Sequence, residues 1–372
     1  MKKKVELITL QRVPNYGSVL QAYATQKIIE KNGFICEIIN YFPERMRIRS
    51  MLRRIKDKNN KFKKSLILRT IARIIILPSY LIRFSSFKKF YKNLNMTKDE
   101  YHSNEEIITK LPVADIYCTG SDQVWNSEWN EGIDKALFLD FAPKEKKKIS
   151  ISASFGKKEL SANEKDETKL LLRKYDFISL REKSGVDIIE NLGIKNSVNI
   201  LDPTLLLNDK EWNSIASKKY YEEDYILVYN LNRNKKIDKY AENLSKAKGL
   251  KIKYLSYQLH EFYKKGKMYC NPSVEDFLAL IKNAKYVVTD SFHGTAFSLN
   301  FKKDFIIVYP QKYSTRIQSI LEILNLENRV AKNEHDLTVI ENHINYESVT
   351  AKLELERKKS LDWIKKSLEE KR

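Results

Sequence analysis

The feature that most constrains this chain is a short apolar run that stops at a polar turn and gives way to helix-periodic sequence. Residues 286–301 read YVVTDSFHGTAFSLNF. Tyr286, Val287 and Val288 read as a buried strand, Thr289, Asp290 and Ser291 as a turn. Ala296, Phe297, Leu299 and Asn300 carry helical spacing. Strand, turn and helix in that order belong to a parallel α/β sheet, where strand ends and helix amides converge on ligands. His293 sits at this turn, where it is suited to proton transfer near neutral pH. The plainer alternative is a packed, hydrogen-bonded core histidine.

The same order opens the chain. Residues 5–10 read as a strand and 11–18 as a turn built on Pro14, Asn15 and Gly17, with Ser18 placed to cap a helix. Residues 19–31 have helical spacing, Asn32 and Gly33 stop it, and 34–41 form a second strand. Apolar runs at 113–118, 136–141, 148–155, 177–180 and 198–201 predict further strands, with helices over 160–175 and 184–191. The polar stretch 208–223 reads as a boundary, after which the pattern restarts. Strands are expected at 225–231, 251–257 and 304–309, and helices at 236–248, 273–283 and 314–326. A long amphipathic helix is expected over 346–371. The expected architecture is α/β with two lobes, 1–207 and 208–330, and a C-terminal helical extension, 331–372, that returns to brace the first lobe.

A chain of 372 residues, 42% of them hydrophobic, is long enough for two cores. Cys36, Cys118 and Cys270 are odd in number, far apart and without metal spacing, which fits a reducing compartment and no disulfide framework. The start, MKKKVELITL, lacks the apolar region of a signal peptide. No apolar run reaches the about 20 residues that a spanning helix needs, so a cytoplasmic location is expected. The net charge of +20 is concentrated: residues 44–92 hold 16 lysines and arginines against Glu44 and Asp57, a net of +14. Ile67, Ile71, Ile74, Ile75 and Leu81 are interleaved with them. That composition suits an anionic membrane surface; the alternative is a helical insertion packed on its own domain. No nucleic-acid partner is expected, because the charge is confined to one insertion and no nucleic-acid motif accompanies it.

Two more strand ends carry polar residues. TGSDQVWN at 119–126 places Asp122 and Asn126 where they line a pocket or cap the next turn. Arg181 follows the strand at 177–180, and its planar fork suits carboxylate or phosphate, or a salt bridge to Glu182. Six blocks occur in order: NYGSVLQAYATQ (15–26), TGSDQVWN (119–126), ISASFG (151–156), ISLREKSG (178–185), LDPTLLL (201–207) and TDSFHGTAFSLNF (289–301). Together they resemble the polysaccharide pyruvyl transferase family over about residues 5–330. The resemblance implies a GT-B-like fold, two Rossmann-like lobes facing a central cleft. It also implies phosphoenolpyruvate as donor and, as acceptor, a hydroxyl pair of a sugar in a surface polysaccharide or its lipid-linked precursor. It says little about the basic insertion.

Forming a cyclic pyruvate ketal needs a proton at the donor's methylene carbon, two hydroxyls at its central carbon and loss of phosphate. An acid and anion-holding cations are therefore required. His293 is the expected acid or phosphate contact. Arg181, matching the family's strand-end arginine, is expected to hold the donor anions, with Arg316 a second cation and Ser291, Gly294 and Thr295 as donors at a helix start. Asn15, Gly17, Ser18, Asp122 and Asn126 are expected on the acceptor side, with Asp122 as a base. No cluster has metal spacing, so neither a metal nor a cofactor beyond the donor substrate is expected. His102, His260, His335 and His343 lie in polar stretches and are expected to have no role. Two other classes stay open: a GT-B glycosyltransferase using a nucleotide sugar, whose fold is shared, and a non-catalytic, membrane-docked module of polysaccharide assembly. A lipid-linked acceptor would place the protein at the inner face of the membrane as a peripheral enzyme.

Overall fold

A computed structural model describes residues 2–55, 60–219, 224–310 and 314–371. Residues 56–59 of the basic insertion and 220–223 of the expected lobe boundary lie outside the described residues. The first lobe is built on a seven-stranded sheet of β1 (Lys4–Ile8), β2 (Ile35–Tyr41), β3 (Met96–Tyr101), β4 (Ile116–Thr119), β5 (Lys147–Ala153), β6 (Phe177–Leu180) and β7 (Ser197–Asn199). Their order is β3-β2-β1-β4-β5-β6-β7. The second lobe has β8 (Tyr225–Tyr229), β9 (Lys251–Ser256), β10 (Lys267–Cys270), β11 (Tyr286–Thr289) and β12 (Asp304–Ile307), ordered β10-β9-β8-β11-β12. The ladders are parallel: Val5 faces Cys36 on one side and Ile116 on the other, and Tyr286 faces Ile226 and Asp304. In each sheet the winding reverses, between β1 and β4 and between β8 and β11. The carboxyl ends diverge at such a switch point and leave room for a ligand.

Central strands of a parallel sheet are covered on both faces and read as continuous apolar runs. All five residues of β8, YILVY, are buried. The edge strands β3 (MTKDEY) and β10 (KMYC) are not predicted from the sequence for the same reason: an edge faces water, and three central residues of β3 are exposed. The run at 136–141 is a correction. It forms a short 3-10 turn, Lys135–Phe138, capped by Asp134 and ended by Leu139 at φ 56. It is apolar because Phe138 stacks on Trp125 in the core of the first lobe, 5.4 Å between centroids. A short apolar run does not by itself distinguish a strand from another buried segment.

One hydrophobic core runs through both lobes. Tyr16 of the first lobe is fully buried and stacks on Phe277 (4.3 Å) and Tyr257 (5.5 Å) of the second. Its hydroxyl donates to the Pro272 carbonyl. The C-terminal helix Tyr346–Glu369 braces the first lobe: the Ser360 hydroxyl accepts from the Leu201 amide and Trp363 packs edge-on against Phe177. It also grips the second lobe. Arg357, which donates to the first-lobe Leu205 carbonyl, also donates to Asn300 Oδ1, and the Tyr346 hydroxyl donates to the Lys303 carbonyl. Among the described residues no helix is long and apolar enough to cross a membrane.

Candidate active site

The strand ends at the two switch points meet. After β1, Asn15 caps the helix Tyr16–Lys31 and accepts from the Gly17 amide at 2.9 Å. After β11, Ser291 caps the helix Phe292–Asn300, every residue of which is buried. That helix brings His293 onto the Gly17 backbone. A Cβ on Gly17 would stand 1.8 Å from His293 Nδ1. Glycine is required here because no side chain fits between first-lobe backbone and second-lobe imidazole.

Beside this contact lies a buried ion cluster. Arg181, at the end of β6, donates from Nη2 to Asp122 Oδ1 and from Nη1 to Asp202 Oδ2, both at 2.9 Å. Its Nε is 3.9 Å from Glu182 Oε2, and its side chain is fully buried. The Phe292 ring lies 5.2 Å from the guanidinium carbon. Asp202 also accepts from Ser121, from the Thr204 amide and from the Thr204 hydroxyl. Asp122 accepts from the Ser18 hydroxyl and sits at φ 72, a left-handed conformation that costs a non-glycine residue energy. Glu182 collects the Ser154 hydroxyl and the amides of Phe155 and Gly156.

Burial, the largest single influence, pushes the Asp122 and Asp202 carboxyls up, but the Arg181 charge, His293 and the hydrogen bonds each carboxylate accepts together outweigh it, and both are held below the usual carboxylate range. His293 goes the other way. Burial pushes it down to about 4 against the pull of Asp202, and the Arg181 and Arg316 charges reinforce the shift. The imidazole is therefore neutral at pH 7. Its Nε2 is buried without a hydrogen-bond partner, 4.0 Å from Asp202 Oδ1.

The two arginines expected to hold anions stand in different surroundings. Both terminal nitrogens of Arg181 are engaged by carboxylates, while its Nε is buried without a hydrogen-bond partner. Removing one partner of such a buried pair costs about 3–5 kcal/mol. Arg316 has the opposite character. It is half-buried at the start of the helix Thr315–Leu324, its Nε has no partner, and it forms no ion pair with any described residue. Burial, then the neighbouring Arg181 charge, push it down to about 10, so it remains a cation. Thr315 Oγ1 and Ser184 Oγ are also buried without partners, at the starts of two helices that pack together, Thr315–Leu324 and Lys183–Asn191.

At the start of the Phe292–Asn300 helix, the Gly294 amide donates to the Ser291 hydroxyl, and the Thr295 hydroxyl donates to the Ser291 carbonyl. Asn126 caps the turn Ser127–Asn130 and donates to Gln123. Asp202 and Ser184 escape sequence reasoning. Asp202 stands before a proline, where a helix cap is the ordinary reading, and Ser184 lies in a charged helix start with nothing to mark it. Among the described residues no group of histidine, cysteine, aspartate and glutamate is arranged to hold a metal.

The polysaccharide pyruvyl transferase family model matches residues 15–312. No curated protein matches the chain. Among solved structures, a UDP-N-acetylglucosamine 2-epimerase from Listeria monocytogenes is 13% identical, with all of this chain and 98% of that chain covered and a TM-score of 0.52. S. aureus MnaA with UDP is 12% identical at TM-score 0.53, covering 95% of this chain and 91% of that one. The UDP-GlcNAc 2-epimerase from Methanocaldococcus jannaschii is 13% identical at TM-score 0.52, with 93% of each chain covered. At such identity the likeness shows the fold alone, a GT-B-like pair of lobes.

The Gly17–His293 contact makes a prediction. Gly17→Ala overpacks the lobe junction and is expected to cost about 1–3 kcal/mol of stability in urea unfolding. Adding His293→Ala removes the obstructing ring, so the double variant should be more stable than Gly17→Ala alone. Additive losses would show that the two residues are not in contact.

Proposed function

The chain belongs to the polysaccharide pyruvyl transferase family, and on that premise we propose that it builds a cyclic pyruvate ketal. It does so from phosphoenolpyruvate and a hydroxyl pair of a sugar in a surface polysaccharide or its lipid-linked precursor. The observation that supports this best is a buried imidazole without a partner within reach of the field of a guanidinium without an ion-pair partner. One is a group for proton transfer and the other a group for an anion. The reading calls for no cofactor.

Arg316 binds the donor's anionic groups, with Ser184, Thr315 and the start of the Thr315–Leu324 helix as further donors. Carboxylate and phosphate arriving beside His293 raise its affinity for a proton, so the donor charges its own acid. Protonated His293 delivers that proton to the methylene carbon, which becomes the methyl group. Positive charge then develops at the central carbon, and the neighbouring carboxylates of Asp122 and Asp202 stabilise it. The first sugar hydroxyl adds to the central carbon and His293 takes its proton back. The C–O bond to phosphate then breaks, the second hydroxyl takes its place on the central carbon, and the second hydroxyl proton leaves on phosphate. The balance closes without a separate protein base. Asp122, strongly acidic and already paired with Arg181, is therefore assigned to electrostatics and to the Ser18 hydroxyl. Gly17 forms the first-lobe wall against His293, held in place by the Asn15 cap.

Acceptor-dependent phosphate release from phosphoenolpyruvate tests the reading, with galactosides and lipid-linked glycans as acceptors. His293→Gln should lower kcat by roughly 10²–10⁴-fold. Arg316→Gln should raise KM for phosphoenolpyruvate by about 10–100-fold, the worth of a charge-assisted hydrogen bond. Arg181 variants do not test binding, since they open the buried ion cluster. No release with any acceptor, together with thermal stabilisation by UDP-sugars and none by phosphoenolpyruvate, would transfer the site to nucleotide-sugar chemistry.

Proton linkage gives a second test. His293 is held near 4 in the free protein and is neutral at pH 7. Donor binding at pH 7 should therefore take up close to one proton, an uptake that vanishes as pH falls through 4, where the imidazole is already charged. Calorimetry in two buffers of different ionisation enthalpy measures it. Equal uptake by His293→Gln would show that the proton goes elsewhere.

A further inference from the structure

The basic insertion folds around a helix, Leu66–Phe90, that is oriented against the usual rule. Its inner face carries Ser79, Tyr80, Phe87 and Phe90, all buried. Its outer face is aliphatic. Leu66 is 64% exposed, Ile67 72%, Ile71 48%, Ile74 66%, Ile75 51% and Leu81 53%. The spacing 67, 71, 74, 81 lies on one stripe of the helix, and from 66 to 82 that stripe is about 25 Å long at 1.5 Å per residue. A water-facing helix normally places its polar side outward. The helix contains no acid, and the segment 44–92 carries a net charge of +14.

We infer that this face docks the protein on an anionic lipid surface, the helix lying in the interface with its aliphatic stripe among the acyl chains. Three occupants compete, and charge decides among them. A second copy of the chain would bring two segments of +14 together. A nucleic acid would satisfy the charge but leave the aliphatic stripe in water. An anionic bilayer takes both at once. The helix is also not apolar enough to span a membrane.

The same helix is fastened to the site. Arg83 stacks on the Tyr257 ring at 3.8 Å and donates from Nε to the Pro14 carbonyl, next to Asn15 and Gly17. The Ser79 hydroxyl accepts from the Leu259 amide, and the Ser86 hydroxyl donates to the Asn271 carbonyl. The docking helix therefore contacts both lobes beside the loop that covers His293. A consequence that rests on the pyruvyl transfer reading is that the acceptor reaches the site on a lipid carrier.

The test is flotation of the full chain with vesicles of phosphatidylcholine alone or mixed with phosphatidylglycerol, at low and high salt. The triple variant Ile67→Glu, Ile71→Glu, Ile74→Glu changes exposed positions only, so its melting temperature should match wild type. Wild type should float with the anionic vesicles and lose binding in high salt. The triple variant should bind at least about tenfold more weakly. Its phosphate release with a soluble acceptor should be unchanged, which separates failure of docking from failure of the pyruvyl transfer reading. The inference is overturned if wild type stays soluble with anionic vesicles, or if it binds neutral and anionic vesicles equally. It is also overturned if light scattering shows a dimer that the triple variant dissociates, since the stripe would then belong to a second copy.

Discussion

A buried arginine surrounded by three carboxylates cannot be left half-assembled. Arg181 draws one partner, Asp122, from the loop after β4, a second, Asp202, from the turn after β7, and lies beside Glu182 of its own turn. A charge of either sign left alone in that position would cost several kcal/mol, so the strand ends of the first lobe are fixed relative to one another. His293 then enters from the second lobe and rests on Gly17, 4.0 Å from the Asp202 carboxylate. The electrostatics follow from this placement. The carboxylates are held in their ionised form and the imidazole in its neutral form, and on the proposed reading a bound anionic donor would charge the imidazole.

On the proposed reading, structure and chemistry fall to different residues. Arg181 pairs with Asp122 and Asp202 through its two terminal nitrogens and ties their strand ends together. His293 Nε2 and Arg316 Nε are buried without hydrogen-bond partners, as are Arg181 Nε, Ser184 Oγ and Thr315 Oγ1. The GT-B-like architecture supplies the setting, since both sheets reverse at a switch point whose carboxyl ends face the other lobe. Tyr16 and the C-terminal helix hold the lobes in register through a shared core.

Much of this was legible before the fold was known, where a local signal existed. The run Tyr286–Thr289 followed by Ser291 announced a buried strand and a capped helix, and with them the position of His293. The strand ends at Asp122 and Arg181 were also visible. Their partnership was not, because it joins residues 59 positions apart whose separation in space depends on the sheet order. The sequence presents Arg181 as an anion holder without showing its carboxylate partners, and Arg316 stands at an ordinary helix start. The edge strands β3 and β10 gave no apolar run to find. In the basic insertion the composition was plain, but only the fold shows that the isoleucines of the Leu66–Phe90 helix face outward.

The central claim is that one imidazole between the lobes passes a proton to the donor's methylene carbon. Running the reaction in deuterium oxide and examining the product's methyl group by NMR tests it most directly. The account predicts a ketal whose methyl carries a single deuteron, formed by wild type and nearly absent with His293→Gln. A product that retains the methylene group, or a labelled methyl formed equally well without His293, would contradict it.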